Sequence, residues 1–402
     1  MLAQNATNRF ILSTLNKKKS TPDMALVTHT PADPRRHTDY PYFLQSTSPE
    51  DVEISQRCMV AEWYPQSGVQ LTWPHAGTDW AEMLDEVNEC YLRLAYAIAT
   101  RTTLLIATPE PEEVRRKLVE RLPQRALCNI VVAECPTDDT WARDHAPLSI
   151  VGPQGTELLD FRFNGWGGKF EAENDNAITR NLCKQGHLQG TYVDCLDFEL
   201  EGGSIESDGR GTLLTTSQCL LNPNRNPQYN REQIEEILRE RLGADRVLWL
   251  DHGYMAGDDT DSHVDTLARL CPSDTILYVS CPNAEDEHHN ALKAMEQQLQ
   301  SFRTADNRPY RLVPLPMAPA IYDGTDRLPA TYANYLVMDT AVLYPTYGNA
   351  ETDEQARRAI AKAFPKHDLV GIDCCALIRQ HGSLHCATMQ YPRGVVRKPE
   401  KA

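Results

Sequence analysis

Residues 230–243 read NREQIEEILRERLG, and the chain continues ADRVLWL to Leu250. Ile234, Ile237, Leu238 and Leu242 fall on one face at helical spacing, and Gly243 stands at the position where a left-handed residue closes a helix. Val247–Leu250 then has the length and composition of a buried strand. This helix-then-strand grammar extends in both directions. Residues 111–122 open with Pro111 and align Val114, Leu118 and Leu122. Residues 174–185 are helix-like and stop before Gly186. In 285–302, Leu292, Met295, Leu299 and Phe302 form a core-facing stripe. In 352–364, Thr352 with Gln355 reads as a capping box, and Pro365 closes the helix.

Strand-like runs lie between these helices at 103–107, 129–133, 158–163, 275–280, 336–343 and 369–372. Helix starts near 111, 174, 230, 285 and 352 define five units of roughly 55–67 residues, each with one helix and two or three strands. The class is α/β. A period of this size suits stacked or radially arranged units, although an irregular α/β sandwich gives the same helix count.

The 402 residues are 41% hydrophobic and 24% charged, an ordinary globular composition. Net charge is −16, from 56 acidic against 40 basic residues. That balance argues against a nucleic-acid surface and fits a small cationic partner, although for net charge by itself solubility is the preferred account. The 12 cysteines contain no CxxC pair, and Cys135 and Cys281 sit in apolar strand-like runs. They read as reduced thiols in a cytoplasmic protein. No Cys/His cluster has ligand spacing, so neither a metal nor a cofactor is expected. The pair His288–His289 reads as polar helix positions. No apolar run is long enough for a membrane-spanning helix. Residues 1–22 hold Arg9 and Lys17–Lys19 but no acid before Asp23, which faintly resembles a transit peptide. A disordered tail, or a true start at Met24, is preferred. Residues 1–50 are expected to be irregular, 51–396 a single catalytic domain and 397–402 a tail. Self-association is left open.

Six segments depart from the amphipathic grammar: AEWYPQSGVQLTWPH (61–75), TDDTWARDHAP (137–147), NGWGGKF (164–170), EGGSI (201–205), GDDTDSHVDTLAR (257–269) and HGSLHCATMQYP (381–392). Most follow a strand-like run, where catalytic groups usually sit. Their residue types suit the chemistry of a guanidinium, a planar cation that two carboxylates match bidentately. Asp144 and Asp265 can supply those carboxylates. A carbon flanked by three nitrogens is a poor electrophile for water, so a thiolate is the sensible nucleophile, and Cys386 is the candidate. A bound guanidinium would itself favour the thiolate. His263 suits the acid/base role, and Glu201, followed by two glycines, could orient it. Each also has a structural reading: a core cysteine, a satisfied histidine, a local Asp144–Arg143 ion pair, a turn-capping Glu201. Sequence spacing alone cannot bring these residues together.

At these residues the chain resembles the agmatine deiminase family, also labelled the Porphyromonas-type peptidylarginine deiminase family, within the guanidino-group-modifying penteins. AEWYPQSGVQLTWPH, DTWARD, NGWGGKF, EGGSIESDG, LLTTSQCLLNPNRNP, GDDTDSHVDTLAR and GSLHCATMQYP occur in the family's order, from about Glu62 to Tyr391. The resemblance implies a five-bladed α/β propeller of pseudo-fivefold ββαβ-type units around a central active-site channel. It implies a covalent amidino intermediate on Cys386 and acid/base work by His263. Asp144 and Asp265 would grip the guanidinium, with Glu201 in the same acidic cluster and Trp141 and Trp166 lining the pocket. The chain departs from the family's usual Met-Pro at Met59-Val60, and from a Gly-rich nucleophile turn at His381–Cys386. Neither departure removes a catalytic group. The expected reaction is hydrolysis of agmatine to N-carbamoylputrescine and ammonia, with Asp259 or Asp261 meeting the tail amine. The alternative is deimination of free or C-terminal peptidyl arginine, with Arg143 or Lys169 meeting the carboxylate.

Overall fold

The structure, a computed structural model, describes residues 56–399. The expected N-terminal extension at 1–50 and residues 400–402 of the expected tail lie outside them. The described residues belong to one unit.

One motif recurs through the sheets. A short strand pairs antiparallel with a central strand, and a helix then crosses to a third strand parallel to the centre. Ile205–Ser207, Thr212–Thr216 and Arg246–Leu250 form one such set, with the helix Arg231–Leu242 as crossover. Ala268–Cys271, Thr275–Ser280 and Arg311–Pro316 form another around His289–Ser301. Leu336–Val337, Ala341–Thr346 and Asp368–Asp373 form a third around Ala350–Ala363. Leu148–Gly152, Gly155–Arg162 and Thr191–Glu199 follow the same rule around Asp175–Lys184, and Cys58–Met59 adds an edge strand. The last set joins the two ends of the described chain. Thr388–Pro392 pairs antiparallel with Gln66–Thr72, which runs parallel to Thr103–Thr108, itself parallel to Ile130–Glu134. The fold is thus α/β, with five sheets of three or four strands and one two-stranded hairpin among the described residues.

Local chemistry explains the boundaries. Arg231–Leu242 begins where Asn230 accepts from the backbone N–H of Gln233 and the Gln233 side chain accepts from that of Asn230. It ends at Gly243, whose φ of 67° only glycine adopts cheaply. Ile234, Leu238 and Leu242 are buried, so the expected stripe faces the core. Cys135 and Cys281 are buried as read from their apolar runs.

Other boundaries differ from expectation. The helix Leu84–Ala99 was not anticipated. The helix at Ala350 is capped by Asn349, whose side chain accepts from the Thr352 N–H, so Thr352 lies in the first turn and does not cap it. The expected strand at 336–343 is two antiparallel strands with a turn between them. His288 precedes its helix and is fully buried, stacked on Tyr254 with ring centroids 5.3 Å apart and bonded to Asp286 at 2.7 Å. It is therefore not a solvated helix position. No helix among the described residues is long and apolar enough to cross a membrane.

Candidate active site

Each sheet's first short strand is preceded by a tight segment carrying polar residues into the interior. The turn Ala142–His145 delivers Asp144 ahead of Leu148, and Gly202–Ser204 follows Glu201 ahead of Ile205. Val264–Thr266 carries Asp265 behind His263, ahead of Ala268. Asn334 precedes Leu336, and Cys386 precedes Thr388. The repeated topology therefore gathers residues 144, 201, 263, 265, 334 and 386 from five separate parts of the sequence.

At the centre, Sγ of Cys386 lies 3.2 Å from the Asn334 amide and 3.8 Å from Oδ2 of Asp265. The same Asp265 oxygen accepts from Asn334 at 3.2 Å and bonds to Nδ1 of His385 at 2.7 Å, leaving Oδ1 buried without a partner. Asp144 accepts from the Gly203 N–H at 2.9 Å and from the Trp166 indole at 3.0 Å, and faces Nδ1 of His263 at 3.7 Å. A β-carbon on Gly203 would lie 2.7 Å from His263 Nδ1, 2.8 Å from Asp144 Oδ1 and 3.2 Å from Asp265 Oδ2. Asp144, His263 and Asp265 thus converge on one point that only glycine leaves open.

The electrostatics follow from burial and the carboxylates. Burial pushes the Cys386 thiol well above its ordinary range, and Asp265 and Asp144 add to the shift. Burial disfavours a charged His263, but Asp144, Cys219 and Glu201 overcome it and hold the imidazole well above its usual value. Asp144 is raised, chiefly by burial. Asp265 resists burial and is lowered by the His385 hydrogen bond and charge.

Strained and charged supports hold this centre. Asn164 caps a turn in which Gly165, Trp166, Gly167 and Gly168 all take positive φ, and Trp166 at φ 55° pays steric strain to aim its indole at Asp144. Trp141 packs against Gly382, where any β-carbon would collide with its ring. Beneath the site, Arg269 bonds to Glu62 and Glu206, donates to the carbonyls of Ala333 at 2.9 Å and Tyr335 at 2.7 Å, and lies over the Tyr335 ring.

The segments do not place every expected residue at the cavity. Cys386, Asp144, Trp141, Trp166 and Asp259 line a cleft of about 420 Å³, joined by Asp79, Asp139, Phe170, Thr260, Gln380, His381 and Gly382. Asp265 and His263 stand behind that lining, fully buried. Asp261 is not part of the lining, because it bonds to Arg225 at 2.6 Å and to Lys169 at 3.3 Å. Glu201 makes no hydrogen bond to His263, because both of its oxygens accept from Nε of Arg225, at 2.8 and 3.0 Å. Asp144 is the carboxylate facing the imidazole. Arg143 lines a separate cavity with Glu62, Gln66 and Met389, and its guanidinium bonds to Gln390 at 2.6 Å. Lys169 is held by the Asp259 carbonyl and Asp261. Asn334, absent from the sequence-based candidates, is fully buried against the nucleophile.

Known proteins resemble this chain in sequence and fold. The profile of the Porphyromonas-type peptidyl-arginine deiminase family matches residues 58–392. An agmatine deiminase of Stutzerimonas stutzeri is 32% identical over 366 residues, covering 84% of this chain and 96% of its own. A C. jejuni agmatine deiminase, solved as a cysteine-to-serine variant with substrate bound, is 34% identical with a TM-score of 0.77, covering 85% of this chain and 97% of that one. A Porphyromonas gingivalis protein, whose arginine deiminase name is itself provisional, is 50% identical with a TM-score of 0.80, covering 85% and 100%. The chain belongs to the Porphyromonas-type peptidyl-arginine deiminase family.

Proposed function

We propose that this protein hydrolyses agmatine to N-carbamoylputrescine and ammonia, acting on a C–N bond of a linear amidine. We also read its five sheets as the blades of a five-bladed propeller around a channel. The observation that carries the substrate reading is the cleft lining: among the described residues it holds Asp79, Asp139, Asp144 and Asp259 but no lysine or arginine. A carboxylate-rich cleft attracts a cation at both ends of a substrate and repels a carboxylate. The two cations considered for an arginine carboxylate are unsuited to it, since Arg143 lies in another cavity and Lys169 is bonded to Asp261.

In this reading Asp144 and Asp265 clasp the guanidinium. Its positive charge offsets the carboxylates that hold the Cys386 thiol protonated, so the nucleophile is activated only with substrate in place. The thiol proton passes to solvent and sulfur bonds to the guanidinium carbon. His263, held cationic, protonates the departing nitrogen, and ammonia leaves an amidino group on Cys386. The neutral imidazole then takes a proton from water as the oxygen adds to the same carbon. The C–S bond breaks, sulfur takes the proton of the newly added hydroxyl, and the neutral ureido product leaves. Relatives named for agmatine, including the substrate-bound C. jejuni protein, support this reading. The P. gingivalis relative favours a second reading, deimination of free or C-terminal peptidyl arginine.

The test is colorimetric detection of ureido product from agmatine, arginine and a peptide ending in arginine, side by side. Turnover of agmatine alone, lost in Cys386→Ala, is expected. Turnover of arginine without agmatine sinks the substrate reading, and turnover by Cys386→Ala sinks the nucleophile.

A further inference from the structure

We propose that Glu201, Cys219 and His263 form a latent site for a thiophilic divalent cation such as Zn²⁺, whose occupancy switches deimination off. A carboxylate oxygen, a thiol sulfur and an imidazole nitrogen from these residues all lie within 4.8 Å of one another. Zinc bonded to sulfur at ~2.3 Å and to nitrogen or oxygen at ~2.0–2.2 Å sets such ligands somewhat closer together, so side-chain shifts of about an ångström close the site. Each ligand is at most 1% exposed. Cys219 rides on a short helical turn whose cap, Thr216, accepts from the Cys219 N–H, so its position is fixed by the backbone. The three ligands come from distant segments, which is why no spacing motif marks them.

Independently of this proximity, both ring nitrogens of His263 are buried without a hydrogen-bond partner. Buried polar atoms are nearly always paired, and an exception of this kind marks a group kept free for a ligand or a reaction. The imidazole's polar neighbours are Asp144, 3.7 Å from Nδ1, and the Cys219 thiol, and a metal bridging His263 and Cys219 would replace the contact between those two. Glu201 can coordinate through one oxygen while Arg225 continues to orient the carboxylate, as outer partners of metal ligands do.

In the occupied site M²⁺ would face a carboxylate oxygen, a thiolate sulfur and a neutral imidazole nitrogen, and any proton these atoms carry leaves to solvent as the bonds form. The occupied trio is neutral, so the buried Arg225 meets no added positive charge. No electron is transferred. The nitrogen bonded to metal can no longer carry a proton. That inhibitory consequence rests on the proposed role of His263, whereas binding does not.

Co²⁺ serves as the probe, because thiolate ligation produces a near-ultraviolet charge-transfer band. It is added to the full chain with Cys128, the exposed thiol, replaced by serine throughout. A one-to-one band is expected, retained in Cys386→Ala and lost in Cys219→Ala. Cys219→Ser, nearly isosteric, guards against misfolding and should lose the band while keeping a native melting transition. Zn²⁺ should inhibit agmatine turnover reversibly to chelator, with at least about a tenfold loss of sensitivity in Cys219→Ser, equivalent to ~1.4 kcal/mol. Absence of the band in the Cys128→Ser parent, its survival in Cys219→Ala, or its loss only in Cys386→Ala overturns the site. A cobalt band at Cys219 with no effect of Zn²⁺ on turnover overturns the switch, and only that outcome bears on His263.

Discussion

The side-chain amide of Asn334 donates to Sγ of Cys386 at 3.2 Å while its carbonyl accepts from the Cys386 backbone N–H at 3.2 Å. The same carbonyl takes the His385 N–H at 2.8 Å, so one buried amide fixes the nucleophile's backbone and solvates its sulfur. A hydrogen bond to the thiolate lowers the cost of forming it. Asn334→Ala is expected to reduce kcat by about 10²-fold, as loss of an oriented donor does, and to slow alkylation of Cys386 at a given pH. Asn334→Asp, which sets a third carboxylate against the sulfur, should be worse. Steady-state kinetics and iodoacetamide rates decide the matter, and an unchanged kcat in Asn334→Ala refutes it.

Gly203 tests the convergence directly. Its φ is not positive, so alanine meets no backbone strain there, and the three atoms nearest the added carbon belong to His263, Asp144 and Asp265. Gly203→Ala should therefore fold, with a destabilisation of about 1–3 kcal/mol. Its kcat/KM should fall by about 10²-fold, because a misplacement of this size spoils alignment. Thermal unfolding together with agmatine kinetics separates the two effects. Near-normal turnover would mean that the three side chains do not surround the reacting group.

The five expected helices were legible from their apolar stripes, although His289–Ser301 and Ala350–Ala363 each pack against strands of two sheets. Leu84–Ala99, which was not anticipated, packs against the strand Thr103–Thr108 and the strand Asp368–Asp373 of another sheet. Val87, Tyr91, Leu94 and Ile98 nevertheless recur at 4-3-4 spacing and are buried, so its stripe was legible in the sequence as well. Cys386, His263, Asp144 and Asp265 lie in segments whose Gly, Trp and His content fits neither helix nor strand. Asn334 lies in Thr-Tyr-Ala-Asn-Tyr, with no such punctuation, and its importance arises only through tertiary contact. The acids of 257–261 could not be sorted from sequence. Asp258 is occupied by the N–H of Ser262 and by Thr260, and Asp261 by Arg225, which leaves Asp259 to face the cleft.

Arg269 is expected to dominate stability beneath the site. It is 1% exposed, with Glu62 and Glu206 as ionic partners, and Glu62 in turn bonds to Nε2 of His385 at 3.1 Å. Arg269→Met removes the cation shared by two buried carboxylates, at a cost of about 3–5 kcal/mol. Denaturant unfolding should show that loss. Adding Glu206→Gln to Arg269→Met should recover part of it, because one orphaned charge is removed. Equal stability of Arg269→Met and the native protein would contradict the ionic arrangement.

Asp139 gives the cleft a pH response. Burial, with Asp79 and Asp259 nearby, raises its carboxyl to about 7. The folded value lies above the unfolded one of about 3.9, so folding favours the protonated form. Its stabilising effect is complete below about pH 4, declines as pH rises towards 7 and is absent above that. Asp139→Asn, which keeps an oxygen for the Thr140 N–H, should therefore melt higher than the native protein at about pH 8 and alongside it at about pH 4. Binding carries the opposite sign, because a cationic tail needs the carboxylate ionised. The KM for agmatine should rise as pH falls below about 7, and rise less steeply in Asp139→Asn, where Asp259, also shifted upward, still titrates. Parallel melting curves and KM profiles from about pH 5 to 9 measure both effects. A variant that melts lower at high pH, or a KM slope unchanged by the substitution, would remove Asp139 from the account of how this cleft holds its cation.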